Sequence, residues 1–300
     1  MLLMRQNEVS AVVQQVVELL ADHYVFPDVG QQIGAVLSAA RYPDGVEPEQ
    51  LAALVTDDLR SVNGDLHLRL LYSEEPLHEN LGDPAADLAA HTDWARRSGG
   101  GIGRVERLDG NIGYVDVSPL LFPPSLSGPA IAAAMTLVDG ASALIVDVRH
   151  CRGGDPNTVA LLCSYLFDEE PLYLNGVYYR ADDRIQQYWT HAYVDGPRFG
   201  TARPVAALTS GTTFSGAEEL AFDLQELKRA TIVGEVTRGG ANPRQGYPVH
   251  EHLEATIPVG RAVSPRTGDN WEGSGVQPDL EVVASAALGR AVEYLRGVVA

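Results

Sequence analysis

The chain is poor in the residues that most often mark a site. Of its 300 residues only two are cysteines, Cys151 and Cys163, too few for a disulfide framework or a thiolate metal cluster. Lysine occurs once, at Lys228. Lys and Arg together number 22 against 40 Asp and Glu, a formal charge of −18. So acidic a surface is repelled by phosphate backbones and anionic lipid, so neither nucleic acid nor a membrane is an expected partner. No apolar run approaches the ~20 residues of a membrane helix. The opening Met1-Leu-Leu-Met-Arg-Gln-Asn-Glu lacks the basic-then-apolar order of a signal peptide, which makes the cytoplasm the expected location. Internal repeats and long low-complexity tracts are missing as well. What is present is an ordinary apolar share, 45%, over a length that fits one large domain or two modest ones.

The hydrophobic pattern divides the chain into three stretches. Residues 1–72 read as a helical subdomain. Val9, Val12, Val13, Val16, Leu20 and Tyr24 share one helix face, and further helices are expected over 33–40 and 48–62. Leu66-His-Leu-Arg-Leu70 then alternates as a half-buried strand, with His67 and Arg69 opposite the leucines. Residues 73–101 are rich in Pro, Gly, Asp and His and read as a linker or mobile segment. From residue 102 to 300 strands and helices alternate. Strands are expected over 111–117, 143–148 and 231–234, helices over 128–138, 159–167 and 286–298, and a hairpin at Asn175-Gly176. Strand–glycine turn–helix units require parallel strands, so the fold class is α/β, and ligands in such sheets gather at the carboxyl ends of the strands.

One unit organises the rest. Val205–Thr209 is a buried-strand run, Ser210-Gly-Thr-Thr213 is turn chemistry, and Ala217, Leu220, Leu224 and Leu227 mark a helix. Ser215 falls at the junction, where helical N–H groups lack intrahelical partners. Taken alone, it reads first as an N-cap, with Glu218 completing a capping box. As a nucleophile it would need a base, a group to orient that base, and N–H donors for an oxyanion. Gly216 follows it directly, and Gly153-Gly154 end a strand expected to neighbour its own.

The base is narrowed by counting. Lys228 lies thirteen residues beyond Ser215 on the same helix, roughly 20 Å away at ~1.5 Å per residue, so a Ser–Lys dyad is excluded. Of the eight histidines, His23, His78, His91 and His191 have no neighbouring chemistry, and His250 and His252 form a pair without a third metal ligand. His67 and His150 remain, and residue chemistry does not choose between them. For the orienting acid, Glu272 stands out between Trp271 and the turn Gly273-Ser-Gly275, although any of the forty acids is formally eligible.

Three segments resemble the tail-specific (C-terminal processing) serine peptidase family. They are Thr213-Phe-Ser-Gly-Ala-Glu-Glu219, Lys228-Arg-Ala-Thr-Ile-Val-Gly-Glu-Val-Thr-Arg-Gly-Gly240 and Trp271-Glu-Gly-Ser-Gly-Val-Gln-Pro-Asp279. The branch most similar contains interphotoreceptor retinoid-binding protein modules and the tricorn core protease. Asp147-Val-Arg149 with Gly153-Gly154, and Ser61-Val-Asn-Gly-Asp-Leu-His67-Leu-Arg69, resemble further family segments, and all occur in order over residues 5–295. The resemblance implies a ClpP/crotonase-like α/β core and a serine hydrolase acting on a peptide or small acyl substrate, with no metal or cofactor. It implies Ser215 as nucleophile, His67 as general base and Glu272 as the carboxylate that orients it. Gly216, Gly153 and Gly154 become the oxyanion hole. Gly240 stands where the processing-protease branch carries a catalytic lysine. Three departures accompany the match: no PDZ-like insertion, Cys151 where asparagine is common, and Asn242 where related bacterial members often have histidine. Two other readings use the same fold: a non-catalytic carrier of an apolar small molecule, and an enzyme that turns the oxyanion hole to other carbonyl chemistry.

Overall fold

The computed structural model describes residues 3–77 and 84–299. In chain order its first elements are helices α1 (Gln6–His23), α2 (Pro27–Ala39) and α3 (Pro48–Arg60), strand β1 (Arg69–Tyr72) and helix α4 (Pro84–Arg97). Strands β2 (Ile102–Leu108) and β3 (Ile112–Val117), helix α5 (Pro124–Val138), strand β4 (Ala143–Asp147) and helix α6 (Pro156–Leu166) follow. Then come β5 (Tyr173–Tyr179), β6 (Arg184–Trp189), β7 (Val205–Thr209), α7 (Gly216–Glu226) and β8 (Thr231–Gly234). The chain closes with β9 (Arg244–His250), β10 (Leu253–Pro258), β11 (Gly260–Val263), β12 (Leu280–Glu281) and α8 (Ala284–Val299). These elements form two compact units, Met1–Ala89 with Val177–Gln186 and Asn242–Ala262, and Ala90–Gly176 with Gln187–Ala241 and Val263–Ala300.

In the first unit the apolar stripe of α1 is buried as its spacing predicts, together with Leu37 of α2 and Leu51, Val55 and Leu59 of α3. Prolines at the first turns of α2 and α3 occupy positions whose N–H has no helical partner. This stripe packs with Leu253, Ala255 and Ile257, alternate residues of β10 that share one face. The sheet order is β1-β10-β9, antiparallel throughout, with Arg69 opposite Thr256 and Tyr72 opposite Leu253. β1 finds its backbone partner in residues far along the chain. This unit is therefore built from separated segments and does not end at residue 72.

Three local expectations are corrected. His67 is not on a strand: the Asp65 carboxylate accepts from the His67 N–H at 2.9 Å, and this side-chain bond makes residues 65–68 a turn that delays β1 to Arg69. Asn175-Gly176 lies inside β5, because β5 is the central strand of a three-stranded sheet and is paired on both edges; the turn falls at Arg180–Asp183, where Asp183 takes φ 45°. The stretch 73–101 holds α4 and a 3-10 turn at Gly99–Gly101, and its residues 78–83 lie outside those described. The alanines of 85–90 favour helix more strongly than the surrounding Pro, Gly and Asp suggest.

In the second unit the sheet order is β12-β8-β7-β4-β3-β2. Strands from β12 through β3 run parallel, and β2 pairs antiparallel with β3 at the edge. β4 and β7 are buried at every residue, as their unbroken apolar runs require of strands covered on both faces. Ile112, Tyr114, Ala143, Ile145, Ala206 and Leu208 pack against Ala287, Ala291 and Leu295 of α8. Helix α6 lies between α5 and α7. β5, β6 and β11 make a separate three-stranded sheet.

Candidate active site

β4 and β7 are adjacent and parallel, so the turns that follow them leave the sheet side by side. Short hydroxyl side chains stitch the two together. Ser210 Oγ donates to the Arg149 carbonyl at 2.6 Å, Thr213 Oγ1 to the Val148 carbonyl at 2.9 Å, and the Phe214 N–H reaches the Cys151 carbonyl. Beneath this, the Arg149 side chain clamps Asp147 with three bonds, 2.9, 3.1 and 2.6 Å, and Tyr114 donates to the same carboxylate at 2.7 Å. Burial opposes ionisation of Asp147, but Arg149 and Tyr114 outweigh it and hold its carboxyl below the usual range. The D-x-R pair is thus a brace for the end of β4.

Ser215 occupies the strand-to-helix junction with φ 52° and ψ −124°. An ordinary N-cap is extended, so this is no ordinary cap. A non-glycine residue held there stores about 1–3 kcal/mol of strain, a cost typical of residues whose side chain must be aimed. Glu218 does reach back to the Ser215 N–H at 2.7 Å, and the expected capping box is present despite the unusual backbone.

The two glycine turns meet at Ser215. A Cβ placed on Gly153 would lie 2.7 Å from Ser215 Cβ and 3.0 Å from the Gly216 nitrogen. One placed on Gly216 would come within 2.9 Å of the Gly154 carbonyl oxygen. Gly153 and Gly154 have φ of 106° and 132°, which side-chain-bearing residues rarely adopt. Among the described residues, the bonds that hold this turn, such as Leu121 N–H to the Gly153 carbonyl at 2.8 Å, do not use the N–H of Gly153, Gly154 or Gly216. Three backbone donors therefore lie around one serine, beside a helix N-terminus whose partial charge is positive. Cys151 is fully buried inside the turn, and burial pushes its thiol up to about 12, so it supplies no thiolate.

Glu218 was expected only as a cap, and it does more. Its buried carboxylate accepts from four donors: Ser215 N–H (2.7 Å), Gly240 N–H (2.9 Å), Gly239 N–H (2.6 Å) and Thr237 Oγ1 (2.6 Å). Burial raises its pKa, while these four bonds pull the other way. Glu218 thus ties Ser215 to the 237–240 loop. The next N–H, Ala241, donates to Glu272 at 2.5 Å, and the buried Trp271 indole donates to the Gly240 carbonyl at 2.9 Å. Trp271 also packs on Phe222 of α7 with ring centroids 5.0 Å apart. Ser215, Gly216, Gly153, Gly154 and Glu272 accordingly belong to one hydrogen-bonded framework of the second unit. The sequence signal for Glu218 was an acid three residues after the serine, on the buried side of its helix.

His67 belongs to the first unit and is 5% exposed. Its backbone is held on both sides, the N–H by Asp65 and the carbonyl by Thr256 Oγ1 at 2.6 Å. His150 is exposed at the end of the β4 turn. Asn242 is buried and donates to Asp65 at 3.0 Å. Asp65, unremarked as a functional residue in the sequence, was signalled by its place two residues before a histidine. His78 lies outside the described residues. Lys228 follows the C-terminus of α7, the end opposite Ser215, which agrees with its exclusion as a base.

Comparison with known proteins closes the assignment of class. The profile of peptidase family S41 matches residues 111–282, and that of the N-terminal domain of S41 peptidases in eukaryotic IRBP matches residues 2–92. The chain belongs to peptidase family S41. Solved structures share its fold at low identity. A putative peptidase from Parabacteroides merdae is 17% identical over 96% of both chains, with a TM-score of 0.67. A lipoprotein from Streptococcus agalactiae is 14% identical over 99% of both chains, with a TM-score of 0.62. The photosystem II D1 C-terminal processing protease is 16% identical over 94% of this chain and 95% of that one, with a TM-score of 0.55. Among the described residues no helix is long and apolar enough to cross a membrane.

Proposed function

We propose that this chain is a serine hydrolase of the tail-specific peptidase type, cleaving a peptide or related acyl substrate through an acyl-enzyme. Ser215 Oγ attacks the substrate carbonyl carbon while its proton passes to the His67 imidazole. Glu272 orients that imidazole and stabilises the imidazolium. The oxyanion is received by the N–H groups of Gly216 and of the Gly153-Gly154 turn. His67 then returns the proton to the leaving group, and water, activated by the same imidazole, releases the acyl chain and restores Ser215. The observation that carries this reading is the strained backbone of Ser215, φ 52°, set against glycines close enough that a Cβ on Gly153 would strike it. A serine placed only to cap a helix has no reason to bear that strain.

Kinetics on single variants test the roles. His67→Ala should lower kcat by several orders of magnitude, His150→Ala by little, and Glu272→Gln strongly without unfolding the protein. A reversed ranking of the histidines would overturn the assignment of the base. Full activity in folded Glu272→Gln would make that acid structural.

A further inference from the structure

The turn that carries His67 is more heavily braced than a surface connection needs. Arg60 donates to the carbonyls of Leu66 at 2.9 Å and Leu68 at 3.1 Å, and Arg69 donates to Leu66 at 2.8 Å. Asp65 sits at the centre of this brace and is 1% exposed. Its Oδ1 takes the His67 N–H at 2.9 Å, and its Oδ2 takes Tyr24 Oη at 3.1 Å and Asn242 Nδ2 at 3.0 Å. The Tyr24 hydroxyl itself accepts from Asn63 Nδ2 at 2.7 Å, so its proton is directed at Asp65. Three donors on two oxygens, with no acceptor among them, fit a carboxylate better than a carboxylic acid. A carboxylate oxygen of Asp65 also lies within 4.8 Å of a ring nitrogen of His67.

We propose that Asp65 is a positioning residue for His67: its carboxylate fixes the turn from which the imidazole projects and places a negative charge beside the ring, favouring imidazolium. This rests on the reading of His67 as the general base. In the first unit the groups bearing on Asp65 are Tyr24 from the end of α1, Arg60 from α3, Asn242 before β9, and His67 itself. Burial pushes the Asp65 carboxyl up, and the bonds from His67, Asn242 and Tyr24, with the charge of Arg60, oppose it. Asn242 thereby acquires a role. It stands where related members often carry histidine, and here it supplies a neutral donor to this acid.

The experiment follows the His67 imidazole directly, by nuclear magnetic resonance of the full chain labelled in histidine, its signal identified by its loss in His67→Gln. In Asp65→Asn the His67 pKa should fall by at least about one unit, the size expected for removing a unit charge at such a separation. The acid limb of kcat/KM should move down by the same amount, with KM little changed. A purely structural brace would lower activity or stability without moving either titration. Should Asp65→Asn not fold, Asp65→Asn/Asn242→Asp keeps the buried Asp–Asn pair with its members exchanged. That variant should also lower the His67 pKa, by less. An unmoved His67 titration in a folded variant overturns the inference. Failure of the underlying reading is separately visible, because it appears as kcat/KM retained in His67→Ala with Asp65 intact.

Discussion

Replacing Ser215 by glycine separates a strained nucleophile from a helix cap by the sign of one stability change. At φ 52° and ψ −124° a side-chain-bearing residue stores about 1–3 kcal/mol, which glycine does not pay. Glycine gives back about 0.5–1 kcal/mol through the greater entropy of the unfolded chain. The net expectation is that Ser215→Gly stabilises the protein by up to about 2.5 kcal/mol, which for a chain of 300 residues is up to about 4 °C in Tm. A capping serine behaves oppositely: its replacement by glycine costs a few tenths of a kcal/mol and by alanine about 0.5–2 kcal/mol. Ser215→Ala keeps the strain and loses the hydroxyl, so it should not exceed wild type. Calorimetry of wild type, Ser215→Gly and Ser215→Ala in one buffer provides the assay, with kcat measured beside it. Activity should vanish in both variants while only the glycine variant melts higher. A glycine variant that melts below wild type would refute the strain argument.

Further outcomes follow from the same framework. Glu218→Gln leaves two of four buried donors facing an NH2 group, which should cost about 2–6 kcal/mol; calorimetry showing no loss would mean that the four bonds do not hold the loop. Glu219, buried on α7, has its pKa raised by burial from the ordinary 4.5 to about 8, so the folded protein keeps a proton that the unfolded chain releases. Stability from this group is fully present below pH ~4.5 and is lost as pH rises through 8. Melting across pH 5–9 should show that decline, and Glu219→Gln should reduce it, the rest coming from the neighbouring Asp223, whose carboxyl burial also pushes up; equal slopes for the two proteins would refute the linkage. Gly153→Ala, whose Cβ would meet Ser215, should lower kcat by about 10²–10³-fold with a smaller effect on KM, and unchanged kinetics would remove this turn from the oxyanion hole.

Much of the second unit was legible because its signals are local. Unbroken apolar runs gave β4 and β7, and the serines, threonines and glycines after them gave the paired turns. The strained φ of Ser215 was not legible, since a serine before a helix with an acid three residues on is also how a cap is written. The first unit was only half legible. Its helical stripe follows from periodicity, but β1 depends on β10, and no local pattern reports a partner nearly two hundred residues away. The alternation of Leu66-His-Leu-Arg-Leu70 predicts a strand at His67; the bond its N–H donates to the Asp65 carboxylate overrides alternation there. Asn175-Gly176 misled because its turn chemistry is absorbed inside a strand paired on both edges.

The central claim, that Ser215 is an activated nucleophile, is tested most directly by a fluorophosphonate probe on the folded full chain. The account predicts one covalent adduct, mapped by peptide mass to Ser215 and lost in both Ser215→Ala and His67→Ala, because a serine without its base keeps ordinary hydroxyl reactivity. A well-folded protein that takes up neither this probe nor a smaller one between neutral and mildly alkaline pH, or that is labelled equally without His67, would contradict it.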